Sequence, residues 1–236
     1  MQLFYVQSLS EDSDIFYFDK DESRHIVKVL RKPIGDILNI TNGNGWMFEA
    51  EILDNNIKSV QAKIIKKELQ PKPNYHLHMA VAPTKSMERF EWFLEKATEI
   101  GISKITPIIC ENSERKVVKN QRLERIIQSA LNQSLDCYLP KLNDTIKFTD
   151  FIKERHDVPS GYIAHCAHDG KKISFSSKIE PGEDILILIG PEGDFSQNEI
   201  EFALNANYLP VSLGKKRLRT ETAAIVACHT VAMINE

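Results

Sequence analysis

Between residues 184 and 235 two apolar runs each halt at a glycine, pass through a polar turn and give way to a helical pattern. Ile185-Leu186-Ile187-Leu188-Ile189 stops at Gly190 and leads through Pro191-Glu192-Gly193-Asp194. Leu209-Pro210-Val211-Ser212-Leu213 stops at Gly214 and leads through Lys215-Lys216-Arg217-Leu218-Arg219. Helical periodicity resumes after Ser196 and Thr220, residue types that cap helices. Two loops at the ends of buried strands are therefore predicted. In α/β folds ligands sit at such loops, because strand ends converge there and helix N-termini present unpaired N–H groups.

The rest of the chain divides at residues 70–74, Gln-Pro-Lys-Pro-Asn, where two prolines at alternate positions favour an extended spacer. Domains over 1–70 and 74–236 are predicted. Before the spacer, short apolar runs at 3–6, 15–18, 36–41, 46–53 and 59–69 are broken by turn signals, which suggests a small β-barrel. Asn42-Gly43-Asn44-Gly45 is a strong hairpin signal. One helical patch, 21–36, puts Ile26, Val29 and Leu30 on one face and Arg24, Lys28 and Arg31 toward the other. A solvated helix surface is the simpler account of that basic face; an RNA contact is the alternative.

After the spacer, strand and helix alternate, giving an α/β domain with a mostly parallel sheet. Phe90, Phe93, Leu94, Ala97 and Ile100 recur at helical spacing before Gly101, and Leu123, Ile126, Ile127, Ala130, Leu131 and Leu135 form a second apolar face. Ser196-x-x-Glu199 is a capping box and needs no chemistry. The last helix, 220–235, is apolar almost all round and needs burial on more than one side; a subunit interface is one way to supply it.

Composition excludes several classes. A formal net charge of -3 over 236 residues argues against a protein that coats nucleic acid by bulk charge, though not against a local basic site. No secretory signal is evident, and the longest apolar tract, 223–234, falls short of the about 20 residues that span a bilayer, so a cytoplasmic protein without a membrane partner is expected. The four cysteines lie far apart with no C-x-x-C pair, which fits reduced thiols. His76-x-His78 could bind a metal but has no third ligand nearby in sequence, and His165-Cys166-x-His168-Asp169 matches no zinc spacing and reads as a loop lining a ligand pocket, so no metal is expected. Four cations in five residues, Lys215, Lys216, Arg217 and Arg219, suit a phosphate or an anionic transition state. Neither turn has the spacing of a P-loop or a dinucleotide fingerprint.

LIGPEGDFSQNEI at 188–200 and SLGKKRLRTETAA at 212–224 together resemble the paired signature of the RsmE family, SPOUT-superfamily enzymes that methylate N3 of a uridine in small-subunit (16S) ribosomal RNA with S-adenosylmethionine. The resemblance runs along the whole chain: His25-Ile26-x-x-Val29-Leu30-Arg31, Lys85, Lys96-Ala97-Thr98-Glu99-Ile100-Gly101, Pro107, Gln133-Ser134 and Pro140 match further blocks in order. It implies a small N-terminal PUA-like β-barrel that binds RNA, a SPOUT-type α/β domain with a C-terminal trefoil knot, and a homodimer. It also implies that Gly190, Glu192, Gly193, Leu213, Gly214 and Leu218 surround S-adenosylmethionine. Three positions depart from the usual pattern: Asp194 replaces a glycine, Arg217 an aliphatic residue and Asp136 a basic one.

On that reading Arg219 stabilises the anion formed when uridine N3 loses its proton. Glu221 either takes that proton, or orients Arg219, or favours the helix N-terminus. Arg24, Lys28 and Arg31, with Lys85 and Arg115, are expected to grip RNA phosphates, the family implying the assembled small subunit as substrate. Two alternatives stand beside it: a SPOUT enzyme methylating a ribose hydroxyl, and a non-catalytic RNA-binding dimer.

Overall fold

Side-chain alternation sets the first sheet. The computed structural model describes residues 2–154, 160–166 and 172–236. The chain forms two compact units, residues 1–72 with 131–139, and residues 73–130 with 140–236. In the first, β1 (Leu3–Tyr5), β2 (Ile15–Tyr17), β3 (Ile37–Thr41), β4 (Trp46–Asp54) and β5 (Gln61–Leu69) pair in the order β1-β3-β4-β5-β2. Phe48, Ala50 and Ile52 of β4 and Ala62 and Ile64 of β5 point to one core shared with Phe4, Phe16, Leu38 and Ile40. Burying each of the larger side chains contributes roughly 1.5–3 kcal/mol. The Phe4 and Phe18 rings meet edge to face at 5.6 Å, so residues at both ends of the strand order reach the same core and the sheet curls into a half-barrel. The predicted hairpin joins β3 to β4, with Gly43 at φ 75° and Gly45 at φ 91°.

The helical patch departs from expectation. Asp19 caps α1 (Lys20–Arg24), its side chain accepting from the Glu22 N–H at 2.8 Å, and the chain continues as a π turn over His25–Val29. The Leu30 N–H reaches back five residues to the His25 carbonyl at 3.0 Å. A π turn rotates each residue less about the axis than an α turn. Val29, predicted to face inward, is consequently 65% exposed, while Ile26 is fully buried. Arg31 at φ 55° ends the segment, and Arg24, Lys28 and Arg31 are all exposed.

The second unit is built on a parallel sheet. Its strands are β6 (Leu77–Val81), β7 (Lys104–Ile109), β8 (Lys141–Leu142), β9 (Ile146–Lys147), β10 (Ser160–Ala164), β11 (Ile173–Ser174), β12 (Ile185–Ile189) and β13 (Leu209–Ser212). They run in the order β11-β13-β10-β12-β6-β7-β8, with β9 also on β7. Every residue of β6 and β12 is buried, as expected of strands covered on both faces. The ring of His78 in β6 lies 2.8 Å from the Thr106 hydroxyl and edge-on to Phe151, a place in the core rather than at a metal.

The helices of this unit are α2 (Met87–Ile100), α4 (Phe148–Lys153), α5 (Gln197–Asn205) and α6 (Thr220–Asn235), with α3 (Asn120–Ser134) passing on to the 131–139 segment. Phe90, Phe93, Leu94 and Ala97 bury one face of α2, and Gly101 ends it at φ 109°. Leu123, Ile127, Ala130 and Leu131 of α3 are buried as predicted, whereas Leu135 lies past the helix end at φ 61° and is 38% exposed. The predicted capping box is present on α5. Ala224, Ala227, Cys228 and Val231 of α6 are buried, with α2, β6 and β12 as its neighbours, but Met233 is 60% exposed. No helix among the described residues is long and apolar enough to cross a membrane.

The chain crosses from β12 past β10 to reach β13. That order brings the C-terminal ends of β10, β12 and β13 side by side, where α/β sheets bind ligands.

Candidate active site

The turn after β12 is tied down from several sides. A Cβ on Gly190 would sit 3.1 Å from the Phe195 ring and 3.2 Å from its backbone nitrogen, so a side chain there would crowd the turn. The Asp194 N–H donates to the Pro191 carbonyl at 2.9 Å, and Asp194 takes φ 65°. Its Oδ2 accepts from the Cys166 N–H at 2.7 Å and its Oδ1 from the Phe195 N–H at 2.9 Å. The Asn112 amide donates to the carbonyls of Gly193 at 3.2 Å and Asp194 at 3.1 Å. Glu192 Oε1 accepts from the Lys85 N–H at 2.9 Å.

The second turn leans on the first. The Ser212 hydroxyl accepts from the Gly214 N–H at 3.3 Å and donates to the Gly214 carbonyl at 3.0 Å, closing a local loop around Gly214 at φ 146°. Arg217 donates to the Glu192 carbonyl at 3.4 Å. Thr220, predicted to cap α6, is instead its first helical residue, and its hydroxyl donates to the Gly190 carbonyl at 3.0 Å. Arg219 takes the cap position with extended backbone, its carbonyl accepting from the Ala223 N–H at 2.7 Å. Glu221 is buried in the first turn of α6, where its carboxylate lies 3.9 Å from Arg89 Nε.

Between the two turns lies a pocket of about 340 Å³, within the range of small-molecule sites. Ala164, Ile189, Leu218 and Ala223 supply apolar wall, and Glu192, Asp194, Arg217 and Arg219 supply charge. Beside it, Arg115 donates through Nε and Nη2 to the Lys85 carbonyl at 3.2 and 2.9 Å, and Lys85 Nζ pairs with Glu114 at 2.8 Å. The Glu114 carboxylate holds the Lys85 ammonium above its ordinary pKa. Among the described residues no group of three His, Cys, Asp or Glu is placed to hold a metal.

A family model of the RNA methyltransferase domain matches residues 70–232, and one of the RNA methyltransferase PUA domain matches 18–65. Ribosomal RNA small subunit methyltransferase E of Buchnera aphidicola is 32% identical, over 93% of this chain and 89% of its own. The chain belongs to the RsmE family. Two solved structures share the fold over nearly their whole length. A probable rRNA-methyltransferase from Porphyromonas gingivalis has a TM-score of 0.91 at 41% identity, covering 100% of this chain and 98% of that one. A methyltransferase from Legionella pneumophila, in complex with the bound cofactor SAM, has a TM-score of 0.88 at 28% identity, covering 99% and 97%.

Of the residues that the RsmE resemblance assigns to the cofactor, Gly190, Glu192 and Leu218 line the pocket, as does Arg219. Gly193, Leu213 and Gly214 are not among its lining residues but belong to the same two turns. Lys85 and Arg115 are brought together beside Glu192 through the backbone of Lys85. Cys166 lines the pocket too, whereas His168 and Asp169 lie outside the described residues. Two contributors were not visible in the sequence. Asn112 and Arg89 belong to other elements and carry no motif. Asp194 was visible as a departure from the RsmE pattern, but its two hydrogen bonds were not.

Proposed function

We propose that this RsmE-family chain transfers a methyl group from S-adenosylmethionine to N3 of a specific uridine in 16S ribosomal RNA. The observation that carries the reading is the pocket enclosed by the two signature turns, with Arg219 in its lining. Its make-up suits that cofactor: apolar surface for an adenine ring, and Glu192 and Arg217, of opposite charge, for a zwitterionic amino-acid tail. Gly190 keeps the turn close to the pocket, where a side chain would collide with Phe195. When bound, the cofactor supplies an electrophilic methyl group.

The chain's own residues do the rest. Gly190, Glu192 and Leu218 hold the cofactor, with Gly193, Leu213 and Gly214 fixing the turns that carry them. Arg219, exposed at the start of α6, stabilises the negative charge on the uracil when N3 gives up its proton to solvent. Glu221, with its carboxylate near Arg89, braces the helix start that presents Arg219. Arg24, Lys28, Arg31, Lys85 and Arg115 take RNA phosphates. The PUA-like domain spans 1–70 and the SPOUT domain 74–236, the latter with the family's C-terminal trefoil knot. The exposed side of α6, including Met233, packs in a homodimer that works in the cytoplasm on the assembled small subunit.

Incubating the purified protein with S-adenosylmethionine and unmodified small subunits, then identifying the methylated nucleoside by mass spectrometry, tests this. The expected product is 3-methyluridine. A 2′-O-methyl nucleoside would assign the chain to ribose chemistry, and no product alongside tight RNA binding would make it a non-catalytic binder.

A further inference from the structure

We infer that Asp194 is a positioning residue whose carboxylate clasps the end of β10 to the turn after β12 and so fixes two walls of the pocket against each other. The inference rests on reading that pocket as the S-adenosylmethionine site. The backbone ladder between β10 and β12 runs out at the pair Ala164 and Ile189. Beyond it no backbone pair joins the two strands, and Cys166 after β10 and Pro191, Glu192 and Asp194 after β12 all line the pocket. The Cys166 N–H has left the ladder, and Asp194 Oδ2 accepts from it at 2.7 Å. A side chain thus continues between the two strand ends, at the pocket, what the backbone no longer provides.

The second oxygen and the backbone angle keep that carboxylate aimed. Oδ1 accepts from the Phe195 N–H at 2.9 Å, so rotation of the side chain would break both bonds together. The residue sits at φ 65°, which glycine adopts freely and aspartate tolerates better than most side chains. Backbone preference alone would favour glycine here, and the two accepted bonds are what glycine cannot supply. Both are charge-assisted and therefore stronger than bonds between neutral groups. Asn112, donating to the carbonyls of Gly193 and Asp194, holds the same turn from its other side. With the clasp in place the ligand meets preformed walls; without it, binding must also order the two strand ends.

The test compares wild type with Asp194→Gly and Asp194→Asn by calorimetry with S-adenosylmethionine, after thermal unfolding has verified that each is folded. Asp194→Gly relieves the backbone but removes both accepted bonds, of which only the one from Cys166 joins the two strand ends, and is expected to weaken binding by about tenfold. Asp194→Asn keeps one acceptor oxygen and sets a donor against the other N–H, so it weakens binding less than Asp194→Gly but measurably. Without ligand, amide exchange at Cys166 speeds up in both, and KM for S-adenosylmethionine rises by a larger factor than kcat falls. If wild type binds the cofactor and folded Asp194→Gly binds it as tightly, with Cys166 exchange unchanged, the clasp is refuted and Asp194 serves only its own turn. Should Asp194→Gly not fold, the same criterion applies to Asp194→Asn. Failure of wild type to bind S-adenosylmethionine would overturn the parent reading, and this inference with it.

Discussion

Arg219 occupies a position that a cation rarely takes, the cap of a helix N-terminus, where the backbone already presents positive charge. Its place in the pocket lining makes sense if the group brought there is an anion, as a deprotonated uracil is. Arg219→Ala should lower kcat for methyl transfer by roughly 100-fold, the scale of losing one charge-stabilising donor, while calorimetry shows the cofactor bound nearly as tightly. Full turnover in that variant would remove Arg219 from the chemistry. The cysteines give a second test at this scale. Burial raises the Cys110 thiol and pushes Cys228 up to about 12, and it raises Cys137 as well, whereas Cys166 is exposed and lines the pocket. A thiol reagent applied to the native protein should label Cys166 first, and S-adenosylmethionine should slow that labelling. Equal labelling of Cys228 would contradict its burial on the inner face of α6.

Elements were legible where one periodicity governed them. Short apolar runs broken by turn signals identified the five strands of the first unit, and the Ile185–Ile189 run identified the central strand of the second. Where two demands met in one residue, sequence reasoning saw only one. Gly43 and Gly45 were read for their positive φ, yet they also make room for neighbours: a Cβ on Gly43 would lie 2.9 Å from Leu139 Cβ, and one on Gly45 would overlap the Tyr138 ring. Gly45→Ala should therefore destabilise the protein by about 2 kcal/mol or more, combining backbone strain with overpacking, measured as a shift in the denaturant midpoint. An unchanged midpoint would mean that Tyr138 does not pack there. Thr220 looked like a cap because threonine often is one, but its hydroxyl is used by a carbonyl thirty residues away in sequence. The π turn at His25–Val29 left no mark in the spacing, since only a backbone hydrogen-bond shift distinguishes it from an α turn.

At the scale of the whole molecule, the return of residues 131–139 to the first unit was illegible, because it depends on contacts far apart in sequence, such as the Tyr138 hydroxyl donating to the Gln70 carbonyl at 2.9 Å. The two signature turns were legible as a pair, and the sheet order explains why: β10 and β12 are neighbours and β13 lies on the other side of β10. RNA affinity should fall steeply with salt, and Lys85→Ala should reduce the slope of log affinity against log salt by about one. Lys85 is exposed and already paired with Glu114, so a phosphate would take the place of that carboxylate. A slope unchanged in the variant would remove Lys85 from the interface. The central claim, methylation of a uridine N3 in small-subunit RNA, is tested most directly by deleting the gene and mapping modified nucleosides in that RNA. 3-Methyluridine should disappear and return when purified protein and S-adenosylmethionine are added to the deficient subunits; its persistence in the deletion strain would contradict the account.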